Sequence, residues 1–360
     1  MGIAEAGGIL LSPMSSLMDA LLEALTERHG SDLLLQTGSK PFMRVDGSLV
    51  RLERPPLSDA DIRGIVSEAV TPSQLRSLEE SQTLDFAVSW RDGTRLRANA
   101  FYQRGSLSAA FRVLPSVIPS MLDLGLPSSA QAFVQLPRGL VLVTGPTGSG
   151  KSTTMAAMIQ AINQQRACHV ITIEDPIEYV HQNDLALIDQ REVGRDAPTF
   201  ADALRSIFRE DPDVVLIGEM RDLETIASAI TIAETGHLVL ATLHTNDSAQ
   251  TIDRIVDVFP GAQQQQVRTQ LANSLSGAIY QQLLPSVGGG RVAAYEVLVA
   301  SNAIRNLIKE GKSNQIRNVL QGSLREGMQT LERALSQLWK ENMISLEEAK
   351  ARSLYPDEIR

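Results

Sequence analysis

Two kinds of hydrophobic pattern share this chain. Residues 17–28 (LMDALLEALTER) place leucine at 17, 21, 22 and 25, the stripe of an amphipathic helix, and Gly30 ends it. Short extended runs follow at Asp32–Gln36, 41–45 and 49–52, with Asp46-Gly47 between the last two as a hairpin signal. A second helix is predicted over 59–70. Two more extended runs, 84–90 and Arg95–Gln103, meet at Asp92-Gly93. This reads as a small α+β domain over residues 1–112. Prolines 115, 119 and 127 then mark residues 113–128 as an extended linker and the natural hinge.

Beyond the linker the pattern changes. Continuous apolar runs at 140–144, His169–Glu174, 186–189, 214–218 and Leu238–Leu243 alternate with helices that begin near Lys151, Thr199, Asp222 and Asp247. Strands apolar on both faces and separated by helices predict a parallel sheet covered on both sides, an α/β core over residues 129–300. From residue 301 the chain reads as helical, with segments at 303–312, 329–339 and Leu346–Arg352.

Composition narrows the partners. At 360 residues, 43% hydrophobic and 21% charged, the chain is an ordinary globular one with room for two domains. Its net charge of −9 gives no bulk attraction to phosphate backbones, and 4% aromatics leave few stacking platforms, so no nucleic-acid partner is expected. The single cysteine, Cys168, excludes an internal disulfide and a Cys-rich zinc module. No run approaches the roughly 18–20 apolar residues of a membrane span. The first residues lack a positive region, and Glu5 interrupts their apolar patch, so no secretory signal is expected. These features predict a cytoplasmic protein.

The chemistry concentrates in the second half. Gly145-Pro146-Thr147-Gly148-Ser149-Gly150-Lys151-Ser152 matches G-x4-G-K-[ST], follows the buried run LVLVT and opens a helix. That placement is what a phosphate loop requires: glycines let backbone N–H groups wrap phosphates, and the helix N-terminus adds partial positive charge. Lys151 is expected to reach the β- and γ-phosphates, Ser152 to ligate Mg²⁺, and Thr153 to complete the loop's binding run. Glu219 follows the buried run VVLIG, at the strand end where ligands of open α/β sheets bind. It is expected to serve the metal and the attacking water, although a carboxylate opening a helix would look the same.

Glu174-Asp175-Pro176-Ile177-Glu178 packs three carboxylates into five residues at another strand end. Such a cluster is either a solvated turn or a site where a cation or polarised water absorbs the charge, and Pro176 makes a turn that can aim Glu178 at the phosphates. His237 and His244 bracket LVLATL; along a continuous strand seven extended steps separate them by about 23 Å, and a strand of that kind rules out a shared metal. His244, at the strand's carboxyl end, is placed to donate to a γ-phosphate. Arg97, Arg112, Arg195 and Arg209 are guanidinium candidates for phosphoryl transfer.

Together these residues resemble the secretion and pilus-motor ATPases, and within them the branch that powers type IV pilus retraction. The matching segments are GPTGSGKSTT (145–154), TIEDPIEYVH (172–181), ALRSIFREDPDVVLIGEMRD (203–222), ETGHLVLATLHT (234–245) and GGRVAAYEVLV (289–299). The resemblance implies a PAS-like N-terminal domain, a RecA-like ATPase core and a homohexameric ring that uses ATP and Mg²⁺. It implies Glu178 as general base, Glu219 near Mg²⁺, His237 and His244 as a histidine box, and Arg97 and Arg112 as arginines that approach the nucleotide. It implies recruitment to the inner membrane by a pilus platform protein and a paralogous retraction ATPase as a further partner.

Ala303-Ile304-Arg305-Asn306-Leu307-Ile308, continuing to Lys312, resembles the C-terminal motif that retraction motors need. Helical spacing puts Ile304, Leu307 and Ile308 on one apolar face and leaves Arg305, Asn306 and Lys309 outward. The absence of a tetracysteine module argues against the pilus-extension and type II secretion branches. Asp32-Leu-Leu-Leu departs from the family's usual Asp-Leu-His-Leu. Rival readings are an accessory ring subunit in which nucleotide switches assembly with little turnover, a RecA-like nucleic-acid motor, which the acidic charge disfavours, and a regulatory GTPase, for which no N-K-x-D motif exists.

Overall fold

A computed structural model describes residues 16–28, 30–45, 48–91, 94–114 and 117–360. The expected hairpin turns Asp46-Gly47 and Asp92-Gly93, and the apolar N-terminal patch, lie outside the described residues. The chain divides into two compact units, Met1–Ser116 and Val117–Arg360.

In the first unit six antiparallel strands form one sheet in the order β3-β2-β1-β6-β5-β4. They are β1 (Asp32–Gln36), β2 (Phe42–Val45), β3 (Ser48–Arg51), β4 (Thr83–Ser89), β5 (Arg95–Gln103) and β6 (Ser106–Val113). Helices α1 (Ser16–Glu27), α2 (Asp59–Ala69) and α3 (Pro72–Ser81) supply the rest of its core. Leu21, Leu22 and Leu25 of α1 pack with Ile62 and Ile65 of α2 and with Leu96, Ala98, Ala100 and Phe111 of the sheet. Capping boxes, Ser58 with Asp61 and Thr71 with Gln74, start α2 and α3 by satisfying their first free N–H groups. Sequence reasoning missed α3 and β6, the latter because it runs straight into the proline-marked segment. That segment is also not an extended linker throughout: residues 121–125 turn, Leu126 is buried against the core, and the Tyr295 hydroxyl donates to Leu124 O at 2.9 Å.

The second unit is built on a seven-stranded sheet, order β13-β12-β7-β11-β10-β8-β9. The strands are β7 (Gly139–Thr144), β8 (His169–Glu174), β9 (Leu187–Glu192), β10 (Val214–Ile217), β11 (Leu238–Leu243), β12 (Leu275–Pro285) and β13 (Arg291–Val299). All neighbours are parallel except β12 and β13, so the expected parallel sheet carries one antiparallel edge strand. Successive residues fall into different cores. Leu140, Leu142, Ile171 and Ile173 join one apolar cluster, while Val141, Val143, Val170 and Leu216 join the other. This is the period-2 consequence of covering both faces.

Helix α5 (Lys151–Gln165), with the short α4 (Ser128–Gln131), covers one face. The other is covered by α6 (Phe200–Ser206), α7 (Leu223–Glu234), α8 (Ser248–Asp257) and α9 (Gly261–Ser274), together with α10 (Asn302–Lys309) and α11 (Ile316–Gly322). Thr199, Asp222 and Asp247 are the N-caps of α6, α7 and α8, which is why each helix starts where the sequence indicated. Helices α12 (Leu331–Lys340) and α13 (Leu346–Arg352) pack on Tyr280, Leu284 and Ala294 of the edge hairpin.

Candidate active site

All the parallel strands point their carboxyl ends the same way, and the loops there converge. β7 leads into Gly145–Gly150 and α5. Gly145 (φ 145°) and Gly150 (φ 90°) occupy backbone conformations that side chains disfavour. A Cβ on Gly145 would also lie 2.3 Å from the carbonyl oxygen of Gln281. These two glycines therefore fix the loop's shape for steric as well as conformational reasons.

Lys151, the first residue of α5, is 8% exposed. Its Nζ donates to Gly145 O at 2.9 Å and Pro146 O at 3.0 Å, and lies 3.4 Å from His244 Nδ1. Burial holds its pKa below the ordinary lysine value, against the attraction of Glu219 and Glu178. The ammonium is thus tethered in the mouth of the loop rather than extended into solvent.

Glu219 stands just past β10. Its Oε1 is 3.3 Å from His244 Nε2, and its Oε2 accepts from Arg221 Nη2 at 2.7 Å. Burial works against its charge, but the Arg221 hydrogen bond and the charges of Arg221, His244 and Lys151 outweigh it, leaving the carboxyl below its ordinary pKa. The loop holding Glu219 is pinned to β11, since Met220 N donates to Thr242 O at 3.0 Å and the Thr242 hydroxyl donates to Gly218 O. Arg221 is the residue sequence reasoning passed over. Its signal was present, a guanidinium two positions after a strand-end carboxylate.

The acidic cluster after β8 is only partly solvated: Asp175 is exposed, whereas Glu174 and Glu178 are half-buried. Glu174 Oε1 accepts from Thr172 Oγ1 at 2.7 Å and Gln190 Nε2 at 3.2 Å. Burial pushes its pKa up to about 7, aided by Glu178 nearby. The Asp175–Pro176 peptide is cis. Beyond it, Tyr179 places its hydroxyl 2.9 Å from Thr153 Oγ1, which ties the segment carrying Glu178 to the first turn of α5.

The two histidines lie at opposite ends of β11. His244 joins Lys151 and Glu219, whereas His237 sits beside the start of β7, where Gly139 N donates to its carbonyl at 2.9 Å. Its ring Nδ1 meets Ile232 O at 3.1 Å and Thr235 Oγ1 at 3.2 Å, and the ring abuts Phe208. Within one chain the geometry brings His244 to the phosphate loop and leaves His237 away from it. Arg97 and Arg112 are direct cross-strand neighbours on the exposed face of the first sheet, and Arg112 Nε donates to Asp32 Oδ1 at 2.7 Å.

Arg305 corrects the helical-wheel expectation. Ile304 and Ile308 are fully buried as expected, but Arg305 is half-buried. Its guanidinium donates to Ala300 O at 3.0 Å, to Asn273 O at 2.8 Å and to Ala272 O. The carbonyls of Ala272 and Asn273 lie in the last turn of α9, so Arg305 satisfies groups that helix itself cannot.

Residues 11–351 match the family described as Type II/IV secretion system protein. The chain belongs to that family. It is 46% identical over 337 residues to the type IV pilus retraction ATPase PilT of Pseudomonas aeruginosa, covering 94% of this chain and 98% of that protein. It is 47% identical over 314 residues to a twitching motility protein of Neisseria gonorrhoeae, covering 87% and 84%. The crystal structure of the pilus retraction motor PilT with bound ADP superposes with a TM-score of 0.87 at 48% identity, covering 94% of this chain and 97% of that one. The fold is thus that of the family's motor ATPases, a smaller N-terminal domain and an α/β ATPase core. Among the described residues, no helix is long and apolar enough to cross a membrane.

Proposed function

We propose that this chain is a Mg-dependent ATPase whose hydrolysis powers type IV pilus retraction, and with it twitching motility, as part of a homohexameric ring. One observation carries the reading. Lys151, held by the loop's own carbonyls, shares a cluster with His244 and Glu219 and feels the charge of Glu178. A triphosphate entering the loop would meet an ammonium, an imidazole and two carboxylates already gathered at one strand edge.

The residues fit a nucleotide with Mg²⁺. Ser152 and Glu219 offer hard oxygen donors, and Mg²⁺ prefers one or two of these completed by phosphates and water. The buried hydroxyls of Thr144, ending β7, and of Ser149, within the loop, have no hydrogen-bond partner. The metal, when bound, supplies charge neutralisation of the phosphate oxygens. Residues 145–153 would hold the phosphates, Ser152 and Glu219 would hold the metal, directly or through water, Glu178 would take the proton of the attacking water, and His244 would stand at the γ-position.

Arg97 and Arg112 are assigned as arginines that approach the nucleotide across domain or subunit contacts, and His237 to the histidine box. The Ala303–Ile308 stretch is the segment that couples hydrolysis to work. The ring would act in the cytoplasm on an inner-membrane platform protein, with a paralogous retraction ATPase as a further partner.

Phosphate release tests the reading directly. Turnover per subunit should depend on Mg²⁺ and climb with protein concentration before levelling off, as expected when active sites form between subunits. Glu178→Gln should lower turnover by about 10²–10⁴-fold while leaving ADP binding intact. Parent turnover absent at every concentration, with nucleotide still bound, would favour the assembly-switch reading instead.

A further inference from the structure

β12 is a buried strand that carries an amide where packing alone would favour a hydrocarbon. Gln281 is 1% exposed. β12 runs parallel to β7 with Ile279 opposite Val143 and Tyr280 opposite Thr144. The next residue, Gln281, therefore stands beside the point where β7 gives way to the phosphate loop.

Three contacts make Gln281 the loop's backing. Its carbonyl oxygen occupies the space a Cβ on Gly145 would need, at 2.3 Å. Its Nε2 lies 3.1 Å from where a Cβ on Gly150 would sit, and it donates to Ser149 O at 2.7 Å. A carbonyl oxygen only accepts, so the side-chain atom facing Ser149 is the amide nitrogen. Gln281 Oε1 is buried without a partner. A half-satisfied buried amide costs stability, so packing does not explain its presence.

The loop's task does. Backbone N–H groups that converge on an anion leave their carbonyls facing the other way, into the protein, where each needs a donor. Gln281 supplies that donor to Ser149, between Gly148 and Gly150. The adjacent Tyr280 packs with Leu331 and Leu335 of the C-terminal helices, so the strand that backs the loop is itself anchored in a separate apolar cluster.

We propose that Gln281 is a positioning residue: its amide holds the Ser149 carbonyl back so that the loop's N–H groups stay aimed at phosphate. The inference rests on the nucleotide reading above only in that this loop binds a nucleotide. Full-length protein would be melted with and without ADP, and ADP affinity and steady-state turnover measured alongside. Gln281→Met keeps the length and removes the donor. Its unliganded melting temperature should fall only slightly, because the orphaned Ser149 carbonyl is offset in part by removal of the unpartnered Oε1, while ADP binds about tenfold more weakly and KM rises more than kcat falls. Gln281→Glu keeps the shape but sets an acceptor against the Ser149 carbonyl, and should lose more affinity still.

Parent-like ADP affinity in Gln281→Met overturns the proposal. So does a fall in unliganded melting temperature that accounts for the lost affinity, because the role would then be structural only. If Gln281→Met does not fold, parent-like affinity in Gln281→Glu overturns the proposal, and a loss beyond tenfold upholds it. Failure of the parent itself to bind ADP would overturn the nucleotide reading as well.

Discussion

The chain's two sheets solve burial differently, and the difference decides where function can sit. The six-stranded sheet buries one face. Along β5, Leu96, Ala98 and Ala100 point into the core while Arg97 is exposed and Asn99 is half-exposed. The seven-stranded sheet buries both, and β7, β10 and β11 have no exposed residue. A one-faced sheet can display side chains from the middle of a strand. A two-faced sheet cannot, so the polar side chains it can offer to a ligand are confined to strand ends: the loop after β7, Glu174 ending β8, Glu219 after β10 and His244 after β11.

The largest expected consequence is in stability. Leu240, fully buried at the middle of β11, contacts the cluster that includes Ile159, Ile162 and Leu216. Leu240→Ala should destabilise the second unit by about 2–5 kcal/mol, through lost transfer energy and a residual cavity. Trp339 lies in that unit and Trp90 in the other, and they are the chain's two tryptophans. Urea unfolding followed by Trp339 fluorescence in a Trp90→Phe background therefore reads the effect. A loss below about 1 kcal/mol would mean the strand is not sandwiched as described.

What could be read from the sequence follows the same division. The two-faced strands β7, β8, β10 and β11 announce themselves as unbroken apolar runs, and the caps Thr199, Asp222 and Asp247 mark the helices between them. The glycine-rich turn between β7 and α5 was legible because its glycines, lysine and flanking elements are all local. β12 was not. Its sequence LSGAIYQQLLP interrupts the apolar pattern with Gly277, Gln281 and Gln282, each answering a neighbour remote in sequence. A Cβ on Gly277 would collide with the Phe133 ring at 2.1 Å, Gln281 serves Ser149, and Gln282 Nε2 donates to the Tyr280 and Arg352 oxygens. Arg305 was misread for a related reason. A helical wheel gives the direction of a side chain's first bonds, not where a long guanidinium arm ends.

A middle-sized effect should come from Glu174, which closes a two-faced strand with a carboxyl group. Burial raises its pKa from the ordinary 4.5 to about 7. Between those values the folded chain holds a proton that the unfolded chain has lost. Its contribution to stability therefore falls as pH rises through that window and is constant above it. Glu174→Gln removes this penalty. The variant's stability relative to the parent should be more favourable at about pH 8 than at about pH 5, by the same urea measurement. An equal difference at both pH values would mean Glu174 is ionised throughout, and that the strand end is wetter than its contacts imply.

The smallest effect is expected on the exposed face of the first sheet. Arg97 stands directly opposite Arg112 across β5 and β6, and like charges so placed repel. Arg112 is held by Asp32, which also accepts from the Ser31 hydroxyl at 2.7 Å. Arg97→Ala should therefore shift stability by no more than about 0.5 kcal/mol, with relief of repulsion offsetting whatever contact is lost. Trp90 fluorescence in a Trp339→Phe background reads this unit. A larger loss would show that the face is structural and would erase the contrast between the sheets. The decisive reading is activity measured beside it. Turnover that falls while stability holds makes the arginine row a working surface kept despite its repulsion, which a one-faced sheet alone can present. Turnover and stability both unchanged would make the row a solvated face, and would leave the strand ends of the other sheet as the whole of the catalytic machinery.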